Sequence, residues 1–249
     1  MKAWPGRLAR AMLAAAGLAG AGAHAQEAQE AAPFGPPVGD DRVYLHALLD
    51  ELEGRFGGGA GAALRWDGEA WLGTDTDRLW LKSEGFVQDG QVQDGNQELL
   101  YDRPISTYAD LQAGLRYDLD SAAGRGWAAL GIEGLAPYFL QYSGTLYASD
   151  GGHFAGRLVL RYDAVLTQRL VLEPAVELNA YTRSDPARGV GCGLSEVDAG
   201  LRLRYELSRK FTPYAGLVYE RRTGPAGVAA GDTRGAGRWR LAVGIRGWL

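Results

Sequence analysis

The chain has 249 residues, 22% of them charged, a formal net charge of −4 and one cysteine, Cys192. Beyond the N-terminal run no stretch approaches the 18 apolar residues of a spanning helix, which excludes a helical membrane protein but not a membrane barrel. No basic patch points to nucleic acid.

Residues 1–25 have the layout of a secretory signal. Lys2, Arg7 and Arg10 make a basic start, Ala11 to Ala23 is an apolar run too short to span, and Ala23-His24-Ala25 is a small-x-small cleavage site. The expected mature chain starts at Gln26 in the periplasm of a Gram-negative cell, with a charge of about −7 once the three basic signal residues are gone. An oxidising compartment gives the lone Cys192 no internal disulfide partner. Residues 26–41 hold three prolines among Gln, Glu and Ala, too little apolar area to fold alone, and are expected to form a flexible periplasmic tail.

From Val43 onward, stretches of about ten residues alternate apolar with polar side chains between turn residues, the pattern of a transmembrane β-barrel with one face on lipid and one on a wet lumen. The breaks place strands near 43–56, 63–73, 77–87, 96–103, 107–118, 126–135, 138–149, 153–165, 169–181, 195–206, 211–222 and 238–249. The expected fold is therefore all-β: an antiparallel outer-membrane barrel of about 12 strands over residues 42–249. Connections 57–62, 88–95, 119–125, 182–194 and 223–237 are mostly long, and those between them short. Only 149–152 breaks the contrast, being short where a long connection is due. This order suits a periplasmic N-terminus with short turns on the same side.

Phase assigns the faces. Val197, Ala199, Leu201, Leu203 and Tyr205 alternate with Glu196, Asp198, Arg202, Arg204 and Glu206. Leu111, Ala113, Leu115 and Tyr117 alternate with Asp110, Gln112, Arg116 and Asp118, and Phe154, Gly156, Leu158, Leu160 and Tyr162 with Arg157, Val159, Arg161 and Asp163. The outward rows end in tyrosine, as at Tyr219, and predict one aromatic girdle. Inward rows carry Arg with Asp or Glu, which must pair across strands.

The best functional candidate is a charged wall on the second and third strands, with Arg65, Asp67, Glu69 and Trp71 on one face of the first and Arg78, Trp80, Lys82 and Glu84 on one face of the next. With the lumenal Arg116, Arg202 and Arg204 they could plug or select a pore, or simply stiffen the barrel. Twelve strands predict a narrow or closed passage. For metal, His46 shares an inward phase with Asp50, two strand positions being about 7 Å apart, a pairing that suits a weak divalent site or a plain polar lining. His153 beside Gly151-Gly152 reads as a rim residue and Cys192 as an exposed thiol. Two histidines with no serine or acid fixed beside them leave enzymatic chemistry without support, so no enzyme is expected.

Seven strings carry a resemblance. They are Leu79-Trp80-Leu81-Lys82-Ser83-Glu84-Gly85, Leu99-Leu100-Tyr101-x-Arg103, Asp110-x-Gln112-x-Gly114-x-Arg116-Tyr117-Asp118, Gly134-Leu135-Ala136-Pro137-Tyr138, Leu166-Thr167-Gln168-Arg169-Leu170, Asp185-Pro186-x-Arg188-Gly189-x-Gly191-x-Gly193-Leu194-Ser195 and Gly200-Leu201-Arg202-Leu203-Arg204-Tyr205-Glu206. Through them the chain resembles the copper resistance protein B family of outer-membrane barrels from about Val43 to its end. The resemblance implies a part in copper tolerance by export, permeability control or sequestration, with copper ions, outer-membrane lipid and periplasmic copper-handling proteins as partners. The alternative is a generic narrow channel or structural barrel without a metal role. Family members often carry a Met- and His-rich segment before the barrel, taken to bind copper through soft ligands. Here both methionines, Met1 and Met12, lie in the signal, and residues 26–41 hold neither Met nor His. A copper-collecting tail is therefore not implied for this chain.

Overall fold

The computed structural model describes residues 42–59, 61–119, 124–185, 190–222 and 237–249; the expected signal and tail lie outside them. Twelve strands make the wall. They are β1 (Tyr44–Phe56), β2 (Ala63–Gly73), β3 (Arg78–Gln88), β4 (Gln91–Ser106), β5 (Ala109–Asp118), β6 (Arg125–Ala136), β7 (Leu140–Ser149), β8 (His153–Tyr162), β10 (Leu170–Tyr181), β11 (Gly193–Tyr205), β12 (Phe211–Arg222) and β13 (Arg238–Trp248). The two-residue β9 (Ala164–Val165) prolongs the line of β8 along β10. Every strand pairs antiparallel with its neighbour in sequence, and β1 pairs with β13, so the sheet closes. Closure leaves no edge and satisfies backbone groups between strands, the condition a sheet must meet in lipid.

The barrel is inside-out relative to a soluble protein. Glu53 and Asp102 are 0% exposed and Arg55 and Arg240 1%, while Leu115 is 65% and Leu201 48% exposed. So continuous an apolar exterior has a stable home only against lipid. The predicted alternation holds, with Leu201, Leu203 and Tyr205 outside and Arg202 and Arg204 buried inside. The tyrosines, however, split between two rims. Tyr117 and Tyr219 lie near the 119–124 and 223–237 connections, whereas Tyr162 and Tyr205 lie at the opposite end. Successive antiparallel strands run in opposite directions, so their last outward residues fall on alternate rims.

Two local features also depart from the sequence reading. The expected loop 88–95 is a hairpin, because Asp89 (φ 54°) and Gly90 (φ 75°) adopt the two left-handed positions of a tight turn and β4 starts at Gln91. On β1 the register slips between Leu49 and Glu51 against β2, and between Leu49 and Leu52 against β13. This bulge at Asp50 and Glu51 turns two successive carboxylates inward, and the alternation resumes with Glu53 and Arg55 inside. Inside, Trp80, Leu100, Trp127, Ala129 and Tyr147 form an apolar cluster against the β3–β7 wall, with charged side chains filling the remaining lumen.

Candidate functional site

The lumen is bridged by arginines that reach strands far round the ring. Arg161 on β8 meets Asp67 on β2 at 3.1 Å, six strands away among twelve, and also holds Asp50 on β1. Arg157 on β8 grips Glu84 on β3 with both terminal nitrogens, at 2.6 and 2.5 Å, and its Nε lies 3.2 Å from Glu177 on β10. Arg65 on β2 spans to Glu177 at 2.8 Å and sits 3.0 Å from Glu51. Arg55 reaches Asp198 on β11 at 2.5 Å and Glu220 on β12 at 2.8 Å, while Arg202 on β11 donates twice to Glu53, both at 3.0 Å. Guanidinium supplies five donors in a rigid plane, which lets one side chain tie two or three strands together. These contacts cross the lumen rather than joining only neighbouring strands.

The charged residues of β2 and β3 take part in ion pairs that extend to other strands. Asp67 answers Arg161 and Glu84 answers Arg157, whereas Glu69 lies opposite Lys82 in the β2–β3 ladder. Lys82 bonds Glu133 at 2.8 Å and Gln112 at 3.2 Å, and sits 5.1 Å above the Trp80 ring. Arg78 reaches Asp110 at 3.0 Å and Asp102 at 3.5 Å, and stacks over Trp71. Arg116 holds Asp118 at 2.8 Å and lies over Tyr147, whose hydroxyl donates to Glu98 at 2.7 Å. Arg204 is paired with Glu173 and, at 2.5 Å, with Asp163. Glu51, Glu53, Arg55 and Glu177 were not predicted as site residues. Phase would have found Glu177, but the bulge hid the three on β1.

The two candidate metal residues are placed apart in role. His46 sits beside the mouth between the Trp71 and Trp248 rings, at 6.1 and 5.9 Å between centroids, while the Asp50 carboxylate is taken by Arg161 and, at 3.0 Å, by Arg246. Among the described residues no three His, Cys, Asp or Glu side chains converge as a metal site. His153 opens β8 after the Gly151-Gly152 turn, and Cys192 is exposed, its thiol donating to the Thr182 carbonyl at 3.2 Å.

Between Arg65 on β2, Glu84 on β3, Glu177 on β10, Asp198 on β11 and Glu220 on β12 the lumen holds a cavity of about 120 Å³. At the other end the start of β1 meets the residue that follows β13, as Ala47 and Leu249 exchange backbone hydrogen bonds.

A closed antiparallel sheet with an apolar exterior and an ion-paired interior defines a transmembrane β-barrel of the outer-membrane type. The NanC porin shares the fold with a TM-score of 0.54 at 13% identity, over 83% of this chain and 100% of that one. Within that class the chain belongs to the copper resistance protein B family, whose model, described as the copper resistance protein B precursor, matches residues 43–249. A copper resistance protein B homolog from Pseudomonas syringae pv. tomato is 39% identical over 216 residues, 86% of this chain and 73% of its own length. Copper resistance protein B from Escherichia coli is 40% identical over 185 residues, 74% of this chain and 62% of its own length. The chain therefore spans only part of either relative.

Proposed function

We propose that this protein contributes to copper tolerance as a barrel of the outer membrane whose lumen is held shut by ion pairs, so that it limits or gates permeation rather than leaving an open pore. The observation that carries this reading is the set of cross-lumen contacts, above all Arg161 to Asp67 and Arg157 to Glu84. Family membership supports the link to copper. In this reading the N-terminus and the short turns face the periplasm and the longer connections face outward, as the usual asymmetry of such barrels suggests. No catalysis is part of it.

The test is growth of a deletion strain across copper concentrations, with zinc and silver as controls, complemented by the wild type or by Arg161→Ala. Copper-selective sensitivity restored by the wild type is expected. Equal sensitivity to all three metals would leave only a generic channel or a structural barrel.

A further inference from the structure

Four successive connections at the short-turn end, 104–108, 137–139, 166–169 and 206–210, turn large apolar side chains away from the protein. Tyr108, Tyr138, Phe139, Leu166 and Leu207 are all exposed there, Tyr138 by 87% and Phe139 by 73%. The 137–139 turn is also costly to build, because Tyr138 (φ 66°) and Phe139 (φ 63°) occupy consecutive left-handed positions that glycine or asparagine takes with less strain. Neither ring offsets that cost by packing on the barrel, so what covers them lies outside the protein.

Positive charge follows the same sector. Arg169, Arg209 and Lys210 are exposed, and none has a carboxylate within ion-pairing distance among the described residues; Lys210 stands over the Trp248 ring. Glu206 is the one acidic residue in the four connections. The two basic connections lie side by side, since the Glu206 amide donates to the Arg169 carbonyl at 2.8 Å. The remaining short connection, 74–77, is the converse: it carries Asp75 and Asp77, no cation and no large apolar side chain.

We propose that this sector of the rim binds phospholipids with anionic headgroups, its aromatic and aliphatic tips entering the headgroup layer while Arg169, Arg209 and Lys210 meet the negative charge. A soluble protein partner calls for a compact patch. Here the apolar tips follow the ring from β4 to β12, and two of them continue the lipid-facing wall beyond Tyr162 and Tyr205, as suits a surrounding medium. Apolar side chains beside unanswered Lys and Arg are what an anionic bilayer surface attracts, and a free phosphate ion would gain nothing from the rings. The inference needs only that this rim meets lipid. It is independent of the copper reading and of the closed lumen, and each can fail without the other.

The experiment is native mass spectrometry of the detergent-solubilised full chain, titrated separately with dioleoyl phosphatidylglycerol and dioleoyl phosphatidylcholine, which share acyl chains and differ in headgroup charge. Phosphatidylglycerol should bind about fivefold tighter or more, the worth of one interfacial cation, and the preference should shrink as salt rises. Millimolar inorganic phosphate should not displace it. The triple variant Arg169→Gln, Arg209→Gln, Lys210→Gln should bring the two lipids within about twofold of each other. Tyr138→Asn with Phe139→Gly, which eases the turn, should weaken both lipids while keeping their ratio. Arg221→Gln, near the opposite end of β12, should change neither. Gel mobility before and after boiling reports whether each variant is folded. If the triple variant is not, Arg169→Gln alone decides, since no ion pair of the described barrel is lost with it, and the preference should fall about twofold or more. Equal affinity for the two lipids, or a preference indifferent to the cation variants in folded protein, overturns the proposal and leaves the exposed tips to a protein partner.

Discussion

Arg161 on β8 and Asp67 on β2 meet at 3.1 Å although their strands lie on opposite sides of the barrel. A pair that joins opposite walls lies across the lumen and braces the closed sheet from within. If the lumen is held shut as proposed, removing one partner should change both conductance and rigidity.

Arg161→Ala is expected to raise single-channel conductance in planar bilayers and to lower resistance to unfolding in detergent by about 1–3 kcal/mol, because Asp67 and Asp50 are left without their shared cation in a lumen of lowered dielectric. Adding Asp67→Asn to that variant should return part of the stability but none of the closure. Equal conductance in wild type and Arg161→Ala would show that the axis is blocked elsewhere.

Adjacent residues on β11 offer a test of the two faces. Leu201→Arg places a charge against lipid and should cost about 2–4 kcal/mol at midplane depth. Arg202→Leu looks milder from sequence alone, as a change confined to the lumen, but Arg202 is 3% exposed and donates twice to Glu53 while lying 3.0 Å from Glu51. Removing it takes two hydrogen bonds from Glu53 and one cation from Glu51 while Arg55 stays 2.7 Å from Glu53 and Arg65 3.0 Å from Glu51, so a loss of about 3 kcal/mol, the low end for breaking a buried pair, is expected. Denaturation of both variants in the same detergent should rank Arg202→Leu as at least equal to Leu201→Arg. A nearly silent Arg202→Leu would mean that water reaches Glu51 and Glu53 freely.

The faces, the strand number and the paired character of the lumen were legible because a two-residue period leaves no choice once one face must meet lipid. Arg202 and Arg204 followed from that alone. Glu51 did not, since simple alternation puts it outside; the bulge at Asp50 reverses the phase, and a bulge adds one residue without a mark in composition. The partner choice was equally hidden. Arg161 could meet carboxylates on several strands, and only the curvature of the closed wall brings β8 across to β2. The turn at Asp89-Gly90 did have a signature, an Asp-Gly pair between alternating segments, although the whole of 88–95 reads as a loop when strand length is judged by apolar content.

Barrel closure makes a prediction that needs no variant. With β1 hydrogen-bonded to β13 and no edge left open, unfolding must break the ring as a unit. The mature chain should stay folded in mild detergent and migrate differently on gels before and after boiling. Recovery as a monomer without detergent would contradict the lipid-facing assignment of Leu115 and Leu201.

The last prediction concerns copper itself. Cu(I) selects thioether and thiolate donors, and residues 26–249 contain no methionine and one cysteine, Cys192. Cys192 is exposed and His46 is flanked by the Trp71 and Trp248 rings, so neither donor stands with a second soft ligand in the described barrel. One thiolate or one imidazole is a poor site compared with a cluster. Titration of detergent-solubilised protein with Cu(I) against a competing chelator should therefore find no site tighter than about micromolar, even where deletion of the chain lowers copper tolerance. His46→Ala should change neither result. Stoichiometric binding tighter than micromolar that survives both His46→Ala and Cys192→Ser would place a copper site among residues this structure gives another role, and would shift the explanation of tolerance from control of permeation to sequestration.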